Sequence, residues 1–307
     1  MSDFIVTGAA GFIGGALAAR LIQDDHSVVT IDNLSTGYED NIPSGVEFIY
    51  GDCGNMEVIK KLPKRDYKAI FHIAGQSSGE ISFDNPIYDI TTNTISTLLL
   101  LDYALKNDCD RFIYASTMSI YGDHLDQAID EDAKCSPSSF YGVGKLASEH
   151  YLNIYQTYGI KTTSLRLFNV YGPGQNLENL RQGMVSIFLA QIFANGYVEM
   201  KGSSDRYRDF IYIDDVVQSF VNCLIYPESE NETINIATGN RTKVGELISL
   251  LFKLCDKSPD LRVSGSTAGD LHGIFAKTEK MRKLLHISKT LPLELGLKKM
   301  INWIRDI

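Results

Sequence analysis

The sequence predicts an α/β protein built on a doubly wound parallel sheet, and three observations support this fold class. Short apolar runs alternate with helix-length amphipathic stretches through about the first 170 residues. A glycine-rich turn directly follows the first apolar run. After Phe168 the alternation ends in a loop rich in Gly, Pro and Asn, at residues 171–176. We therefore predict a Rossmann-type sheet followed by a smaller lobe.

Six strands and five helices are predicted. Each strand is a short apolar run with a polar or Gly-containing break after it, at residues 4–7, 27–32, 47–51, 69–73, 111–115 and 161–166. Four helices are predicted between these runs, at residues 11–23, 56–62, 86–106 and 141–158, and an amphipathic helix is predicted at about 293–305. Parallel strands joined by helices form a sheet whose carboxyl edge binds ligands.

The length of 307 residues suggests two lobes of roughly 150 residues each. We expect residues 1–168, with a returning segment at about 211–236, to form the Rossmann domain. We expect residues 169–210 and 237–307 to form a smaller mixed α/β lobe that binds substrate. The composition, 44% hydrophobic and 22% charged, is typical of a soluble globular protein.

Charge, cysteine usage and hydropathy argue against several classes of protein. The net charge of −9 disfavours binding to nucleic acid or to an anionic membrane. The five cysteines include no C-x-x-C pair, so neither a disulfide framework nor a zinc site is indicated. No apolar run reaches 18 residues and the chain enters a predicted strand at once, so we expect a cytoplasmic protein. His72, His124 and His150 lack the spacing of metal ligands, and no metal is expected.

The motif TGAAGFIG puts Gly8, Gly11 and Gly14 between the first strand and the first helix. Glycines there let a pyrophosphate approach backbone N–H groups at a helix N-terminus, although the spacing is G-x-x-G-x-x-G and a plain tight turn is the alternative. Asp32 ends the second strand 18 residues after Gly14, near the spacing of a carboxylate that binds adenosine ribose hydroxyls. NAD is favoured over NADP, because residues 33–59 contain no Lys or Arg for a 2′-phosphate.

Tyr141 and Lys145 stand four residues apart at the start of a predicted helix, so their side chains share one face. An ammonium there would lower the pKa of the phenol from about 10 toward neutrality, which makes Tyr141 a candidate general base for an alcohol proton. Thr117, in ASTMSIYG at the end of a strand, is a candidate to hydrogen-bond the same alcohol. Chance helical spacing and turn capping by Ser116 and Thr117 are the alternatives.

Charged residues elsewhere suggest further ligand contacts. Asp52, after the third strand, is placed to bond an adenine amino group, and turn capping explains it nearly as well. Arg206 and Arg208 in DRYRDF suit bidentate recognition of phosphate, which an acidic protein with an anionic substrate needs locally. The alternative is that both arginines pair with Asp205 and Asp209 on a solvated loop.

Nine motifs follow one another along the chain: TGAAGFIG, DNLSTG, GDCGN, HIAGQ, STMSIYG, YGVGK, RLFNVYGPGQ, RDFIYIDDVV and NIATG. In this order they resemble the extended short-chain dehydrogenases/reductases that act on nucleotide sugars. DNLSTG and GMVSIF are similar to the NAD-dependent 4-epimerases of the UDP-glucose/UDP-galactose type within that family. The resemblance implies an isomerase with bound NAD and a homodimer built on the helices around residues 98–101 and 141–158. Packing within one subunit is the alternative for those helices.

The resemblance also implies roles for individual residues. Thr117, Tyr141 and Lys145 occupy the catalytic Ser/Thr-Tyr-Lys positions, and Lys145 also holds the nicotinamide ribose. The positions that line NAD are Gly8, Gly11, Phe12, Ile13, Gly14, Asp32, Asn33, Asp52, Cys53, Ala74, Gly75, Gln76, Asn93, Tyr141, Lys145 and Phe168. The positions that contact the nucleotide sugar are Ser78, Ser116, Thr117, Asn169, Arg206, Arg208, Asp270 and Ile274.

At several positions this chain differs from related subfamilies, and these differences reduce the number of reactions that it is expected to catalyse. Dehydratases carry an Asp-Glu pair where this chain has Met118 and Ser119, and decarboxylases carry Glu at the position of Ser119, so neither reaction is favoured. Thr267 stands where many relatives have an arginine, so one diphosphate contact is missing or is supplied by Arg206. The bulk of Ile274, beside the sugar's C2 substituent, suggests an unsubstituted hexose over an N-acetylated one.

The predicted reaction is 4-epimerisation of a UDP-hexose through a transient 4-keto sugar. Tyr141 takes the C4 hydroxyl proton, the C4 hydride moves to NAD and back, and the ketone turns about its diphosphate between the two transfers. Three alternatives stay open: a nucleotide-sugar 4-ketoreductase or dehydrogenase with net redox, a 4-epimerase of UDP-GlcNAc or UDP-GlcA, and a non-enzymatic dinucleotide sensor. Such sensors tend to lose the Tyr or the Lys, and this chain keeps both.

Overall fold

Thirteen strands and eleven helices make up the part of the chain that the computed structural model describes, residues 1–124, 127–257, 259–265 and 271–306. The strands are β1 Asp3–Thr7, β2 Ser27–Asp32, β3 Glu47–Tyr50, β4 Tyr67–His72, β5 Arg111–Thr117, β6 Lys161–Leu167, β7 Asn169–Tyr171, β8 Tyr197–Lys201, β9 Tyr207–Arg208, β10 Phe210–Tyr212, β11 Glu232–Ile236, β12 Thr242–Lys243 and β13 Asp260–Ser264. The helices are α1 Phe12–Gln23, α2 Met56–Ile59, α3 Gly79–Ser82, α4 Pro86–Ile90, α5 Ser96–Lys106, α6 Phe140–Gln156, α7 Met184–Ala194, α8 Ile213–Ile225, α9 Val244–Cys255, α10 Glu279–Leu284 and α11 Leu293–Asp306. None of these helices combines the length and the apolar character that a membrane crossing requires.

Seven parallel strands form the central sheet in the order β11-β6-β5-β4-β1-β2-β3. The chain builds outward from β1 through β2 and β3, then returns to place β4 on the other side of β1. Such a reversal leaves a crevice at the carboxyl ends of the strands, where open α/β sheets bind ligands. The predicted Rossmann-type α/β fold is confirmed.

All six predicted strands are present, and their bounds differ from the prediction by at most two residues. The seventh strand, β11, lies in the predicted returning segment and pairs with β6. The boundaries of the two predicted lobes stay a prediction.

The predicted continuous helix at residues 86–106 is wrong in one respect, because a π turn at Thr91–Ile95 separates α4 from α5. Two hydroxyls bond to carbonyls one turn back, Ser96 Oγ to Thr92 O at 2.5 Å and Thr97 Oγ1 to Asn93 O at 2.6 Å. Side-chain bonds of this kind compete with the helical pattern, and π turns are frequent at functional sites.

Different hydrophobic clusters bury the two faces of the sheet. Val6 and Phe71 belong to one cluster with apolar residues of α1 and α8, whereas Ile5 and Ile70 belong to another with α5 and α6. Adjacent residues of a strand point to opposite faces, so β1 and β4 need apolar side chains at successive positions. This double burial explains the short, almost uniformly apolar runs in the sequence.

Three small two-stranded sheets build much of the region after β6. β7 pairs in parallel with β10, β9 antiparallel with β12, and β8 in parallel with β13. Only Phe168 separates β6 from β7, so β7 starts where the central sheet ends. These sheets bring Asn169 and Arg208 to one cavity beside the carboxyl edge.

Candidate active site

The turn between β1 and α1 lines a cavity at the carboxyl edge of the sheet. Gly8, Gly11 and Gly14 all border it. Gly8 has a φ of +81°, and a Cβ on Gly14 would lie 2.2 Å from the Gly8 carbonyl oxygen, so the turn excludes a side chain at Gly14. Gly11 supplies no side-chain cap to α1. The N–H groups of the first turn of α1 are therefore left for an anionic ligand.

Asp32, at the end of β2, borders the same cavity. Its carboxylate accepts hydrogen bonds from Ala10 N at 3.0 Å and from Leu34 N at 2.8 Å, so it joins the glycine turn to the loop after β2. Burial raises the pKa of Asp32 above its usual value, and the backbone donors oppose that rise. Beside it, Asp52 accepts from Asn33 Nδ2 at 2.9 Å.

The other predicted cofactor residues fall into two groups. Those that line the cavity are Phe12, Ile13, Asn33, Asp52, Cys53, Ala74 and Gly75. Among the described residues, those not part of its lining are Gln76, Asn93, Phe168, Tyr141 and Lys145, and all of these except Gln76 are buried. Burial raises the pKa of the Cys53 thiol, which marks it as a packing residue and not a nucleophile.

Asn93, in the π turn, carries a buried polar atom without a partner. Its Nδ2 donates to Gln76 O at 2.9 Å, while Oδ1 has no hydrogen bond within the described chain. A Cβ on Gly75 would lie 2.4 Å from that oxygen, so glycine keeps the space beside it open. An orphaned buried oxygen next to the cavity wall fits a ligand that brings an N–H donor. Together with the glycine turn and Asp32, this donor and acceptor set fits a dinucleotide.

Helix α6 sets the predicted catalytic side chains against the end of β5. The Tyr141 phenol lies near the Thr117 hydroxyl, which lowers the pKa of Tyr141. One helical turn further on, Lys145 Nζ donates to the Ala115 carbonyl at 2.9 Å. Residues four apart on a helix share a face, and the three predicted catalytic residues therefore meet at one place.

Glu149 extends the same face by another turn, and sequence reasoning missed it. Ser116 Oγ donates to it at 2.5 Å, and Arg166 of β6 donates to both of its oxygens at 3.0 and 2.8 Å. All three side chains are buried. Ser116 was expected to contact substrate, but its hydroxyl is bonded to Glu149. The regular spacing of Tyr141, Lys145 and Glu149 was the available signal.

The protonation of the catalytic pair differs from the sequence argument. Lys145 was expected to lower the pKa of the phenol, yet burial raises the pKa of Tyr141 to about 12; the Thr117 hydroxyl lowers it, and Asp89 raises it further. Burial likewise lowers the pKa of Lys145 to about 8, against the opposing charges of Asp89 and Glu149. Desolvation by burial is the largest cause of both pKa shifts in the protein alone.

A second cavity borders the first. The predicted substrate residues in its lining are Ser78, Asn169, Arg206 and Arg208. Arg208 is 3% exposed and donates to Leu271 O at 2.6 Å and Tyr207 O at 2.7 Å. Burial and the neighbouring Arg206 lower the pKa of Arg208 to about 10, so it remains cationic at neutral pH. A buried guanidinium at a cavity wall is suited to a dianionic ligand.

The carboxylates proposed as alternative partners of these arginines are engaged elsewhere. Asp205 lies 2.9 Å from Lys243 Nζ. Asp209 is fully buried and accepts from Thr238 N at 2.9 Å and Gly239 N at 2.8 Å. Asp209 thus joins β10 to the loop after β11.

Ile274 is fully buried in a third cluster with Phe168 and Ile120. It is not part of the second cavity's lining in the described chain, so its bulk is explained by packing. The predicted contact of Ile274 with the sugar has no counterpart in this arrangement. Asp270 lies outside the described residues.

Residues 174–182, which we call the strap, run across the first cavity and were not predicted as part of the site. Five of them line it: Gly174, Gln175, Asn176, Asn179 and Gln182. On one side Tyr38 Oη donates to Glu178 Oε2 at 2.6 Å. On the other side Gln182 Nε2 donates to Ser77 Oγ at 2.5 Å. The only signal in the sequence was the Gly- and Pro-rich YGPGQN.

Known proteins share this architecture. The model of the NAD dependent epimerase/dehydratase family matches residues 4–237. The chain belongs to this family. A UDP-glucose 4-epimerase of Mycolicibacterium smegmatis is 31% identical over 309 residues, which covers 98% of each chain.

Two solved structures of family members are also similar. The UDP-glucose 4-epimerase of Thermotoga maritima with UDP-glucose has a TM-score of 0.95 and 31% identity over 99% of each chain. The UDP-glucuronic acid 4-epimerase of Bacillus cereus with UDP-glucuronic acid and NAD has a TM-score of 0.90 and 29% identity over 99% of each chain. The predicted family, the enzyme class of isomerase and the NAD cofactor are confirmed, and NAD-dependent nucleotide-sugar 4-epimerase activity is supported.

Proposed function

We propose that this epimerase interconverts UDP-glucose and UDP-galactose. The proposal rests on the wall that the two cavities share, close to the end of β5. Both cavities include Ser77 and Gln182 in their walls, and Met118 and Ser119, directly after Thr117, line the second one. A sugar in the second cavity would thus lie beside the end of β5 that carries Thr117 and beside the cavity of the cofactor.

The charges around the second cavity support a neutral hexose over a uronic acid. Glu80 lies 3.5 Å from Arg181 Nε and 3.6 Å from Lys201 Nζ, so two of the cations in the wall already have a carboxylate partner. Glu199 adds a second acid to the lining. Both acids would repel a sugar carboxylate, and the two other arginines of the lining, Arg206 and Arg208, are the ones proposed to bind the diphosphate.

The chain's own residues handle the proton at the sugar's C4 hydroxyl. Tyr141 Oη accepts that proton, and the neighbouring Thr117 hydroxyl orients the alcohol oxygen. When bound, oxidised NAD supplies a positive ring that accepts the C4 hydride and later returns it. The Lys145 ammonium, held by the Ala115 carbonyl, contributes positive charge that favours the phenolate.

Inversion at C4 requires that the diphosphate is bound tightly while the hexose stays free to rotate. Arg208 and Arg206 are the cations proposed to bind the diphosphate, and Asn169 lines the same cavity. The ketone can then turn about the diphosphate and present its other face before the hydride returns. The role of each of these residues is part of the proposal.

Conversion without added cofactor tests the proposal. The purified protein is incubated with UDP-galactose, and the anomeric proton signals are followed by NMR. We expect UDP-glucose to appear, and Tyr141→Phe to be inactive under the same conditions. Parallel incubations with UDP-glucuronate and UDP-GlcNAc measure the preference for a plain hexose. Faster conversion of either of these sugars would overturn the substrate assignment, and conversion only with added reduced cofactor would indicate net redox.

We further propose a homodimer formed by the outward faces of α4 to α6. Leu100 and Leu101, within the segment named from the sequence, are buried in the subunit core. The outward residues are Ile87, 75% exposed, Val143, 54%, and Ile154, 51%. Apolar groups on adjacent helices suit a second copy of the same surface. Light scattering should give the mass of a dimer, and Ile154→Glu should give a monomer. A cytoplasmic location stays a prediction.

A further inference from the structure

Two buried carboxylates raise the pKa of Lys145, and each has different hydrogen-bond partners. Glu149 is 4% exposed and Asp89 is 1% exposed. Glu149 forms a bidentate ion pair with Arg166, at 3.0 and 2.8 Å. Asp89 has no cation within ion-pair distance in the described chain, and its hydrogen bonds come from two neutral amides. The negative charge of Asp89 is therefore the less compensated of the two.

Asp89 connects the catalytic helix to the turn between the cavities. Gln76 Nε2 donates to Asp89 Oδ1 at 2.8 Å, and Asn93 Nδ2 lies 3.3 Å from the same oxygen. The other oxygen faces α6, since a Cβ on Gly144 would lie 3.6 Å from Asp89 Oδ2. Gly144 directly precedes Lys145, so the carboxylate packs against the helix one residue before the ammonium.

Gln76 links Asp89 to the wall of the second cavity through hydrogen bonds. Its Nε2 also donates to Ser78 O at 2.7 Å, and its Oε1 accepts from Ser78 N. Ser78 lines the second cavity. The orientation of the Gln76 amide, and with it this wall of the cavity, depends on the acceptor that Asp89 provides.

We propose that Asp89 is a positioning residue for the epimerase reaction: its buried carboxylate keeps Lys145 charged beside Tyr141 and orders the turn from Gln76 to Ser78. The inference rests on the proposed 4-epimerase function. It adds an acid to the catalytic machinery that neither the sequence motifs nor the Tyr141 and Lys145 pair disclosed.

The sign of the effect follows from the groups that face the pair. Lys145 is faced by Asp89 from α4, Glu149 from α6 and the neutral His72 from β4, and its ammonium lies 4.7 Å from the Tyr114 ring of β5. Asp89 raises the pKa of Lys145, which burial has lowered to about 8. Asp89 also raises the pKa of Tyr141. Removing its charge should lower both values together.

The test is the pH dependence of four proteins loaded with NAD: wild type, Asp89→Asn, Asp89→Glu and Asp102→Asn. Asp102, on the surface of α5 and paired with Lys106 at 2.7 Å, is the matched control. We expect Asp89→Asn to move both limbs of the kcat profile to lower pH, by on the order of one pH unit each. Asp89→Glu should restore the wild-type limbs, and Asp102→Asn should leave them unchanged.

A second readout needs no substrate. The phenolate of Tyr141 is titrated by its ultraviolet difference spectrum, each protein being measured against its Tyr141→Phe counterpart. We expect the midpoint to fall in Asp89→Asn. This titration separates the inference from the substrate assignment, because it gives the same answer if UDP-galactose is not converted.

Two results would overturn the proposal. One is a loss of kcat in Asp89→Asn with both limbs and the phenolate midpoint unmoved, which is the signature of a structural role. The other is a shift to higher pH. If Asp89→Asn does not fold, Asp89→Ser removes the same charge with less bulk and is interpreted in the same way.

Discussion

The two cavities of the active site are built in different ways. Much of the first is lined by the turns that end the adjacent strands β4, β1, β2 and β3, and its key contacts are backbone groups and glycines. The second is assembled from α3, the turn after β5, the strap, α7, β8 and β9, and its key contacts are charged side chains. A cavity made of local backbone turns suits the same cofactor in every relative. A cavity made of distant side chains lets relatives accept different sugars on one fold.

The largest expected effect separates chemistry from cofactor binding. Tyr141→Phe removes the proton acceptor and leaves the first cavity intact, so kcat should fall by about 10²–10⁴-fold. Bound NAD, measured by absorbance after gel filtration, should remain at the wild-type level. Tyr151→Phe, on the same helix, serves as the control. Loss of NAD in Tyr141→Phe would show that the two functions are not separable.

A second variant tests the side-chain character of the second cavity. Arg208→Lys keeps the charge but loses the planar fork, so kcat/KM should fall by about 10- to 100-fold with unchanged NAD content. Because Arg208 also bonds to the Leu271 and Tyr207 carbonyls, thermal unfolding must be measured alongside. Arg262→Lys, which alters a guanidinium stacked 3.8 Å from the Tyr197 ring, is the control. Equal losses in both variants would count against a diphosphate role for Arg208.

A third variant tests the backbone character of the first cavity. Gly14→Ala forces a Cβ against the Gly8 carbonyl oxygen and should destabilise the turn by about 1–3 kcal/mol. The expected outcome is weaker NAD binding, measured by calorimetry on protein stripped of cofactor. Gly196→Ala, at a position with nothing within 4 Å of the new Cβ, is the matched control. Unchanged NAD affinity in Gly14→Ala would show that close backbone approach at this turn is not needed for NAD binding.

The smallest expected effect is on the strap. Tyr38→Phe removes the hydrogen bond to Glu178, an exposed contact at 2.6 Å, and should increase the rate of NAD dissociation by about 2- to 10-fold. Stopped-flow exchange against a fluorescent NAD analogue measures that rate. Tyr50→Phe, at a 65% exposed tyrosine, should have no effect. Identical rates in the two variants would mean that the strap does not retain NAD.

The same contrast explains what sequence reasoning could predict. The glycines of TGAAGFIG, Asp32 and the Tyr141 and Lys145 pair are separated by short, regular intervals, so local spacing was enough to find them. Each of these residues takes its position from the strand or helix beside it. The fold of the first region followed from the same local signals.

Local spacing could not predict which residues the fold brings together from distant parts of the sequence. Asp89 in PIYDITT has the pattern of a solvated helix residue, and it is buried where α4 packs on α6. Ile274 was expected beside the sugar, yet it is enclosed with Phe168 because the strand-end loops meet there. The burial of Tyr141 reversed the expected direction of its pKa shift. Each of these outcomes depends on long-range packing, and the pKa shift also depends on the desolvation that this packing causes.

The most direct test of the central claim, a 4-epimerase whose cofactor stays bound through turnover, follows the hydrogen at C4. UDP-galactose carrying deuterium at C4 is converted in the presence of excess free NAD, and the product is analysed by NMR and mass spectrometry. We predict that UDP-glucose retains deuterium at C4 and that no deuterated NADH accumulates in solution. Deuterium in free NADH, or its loss from the product to water, would contradict the account.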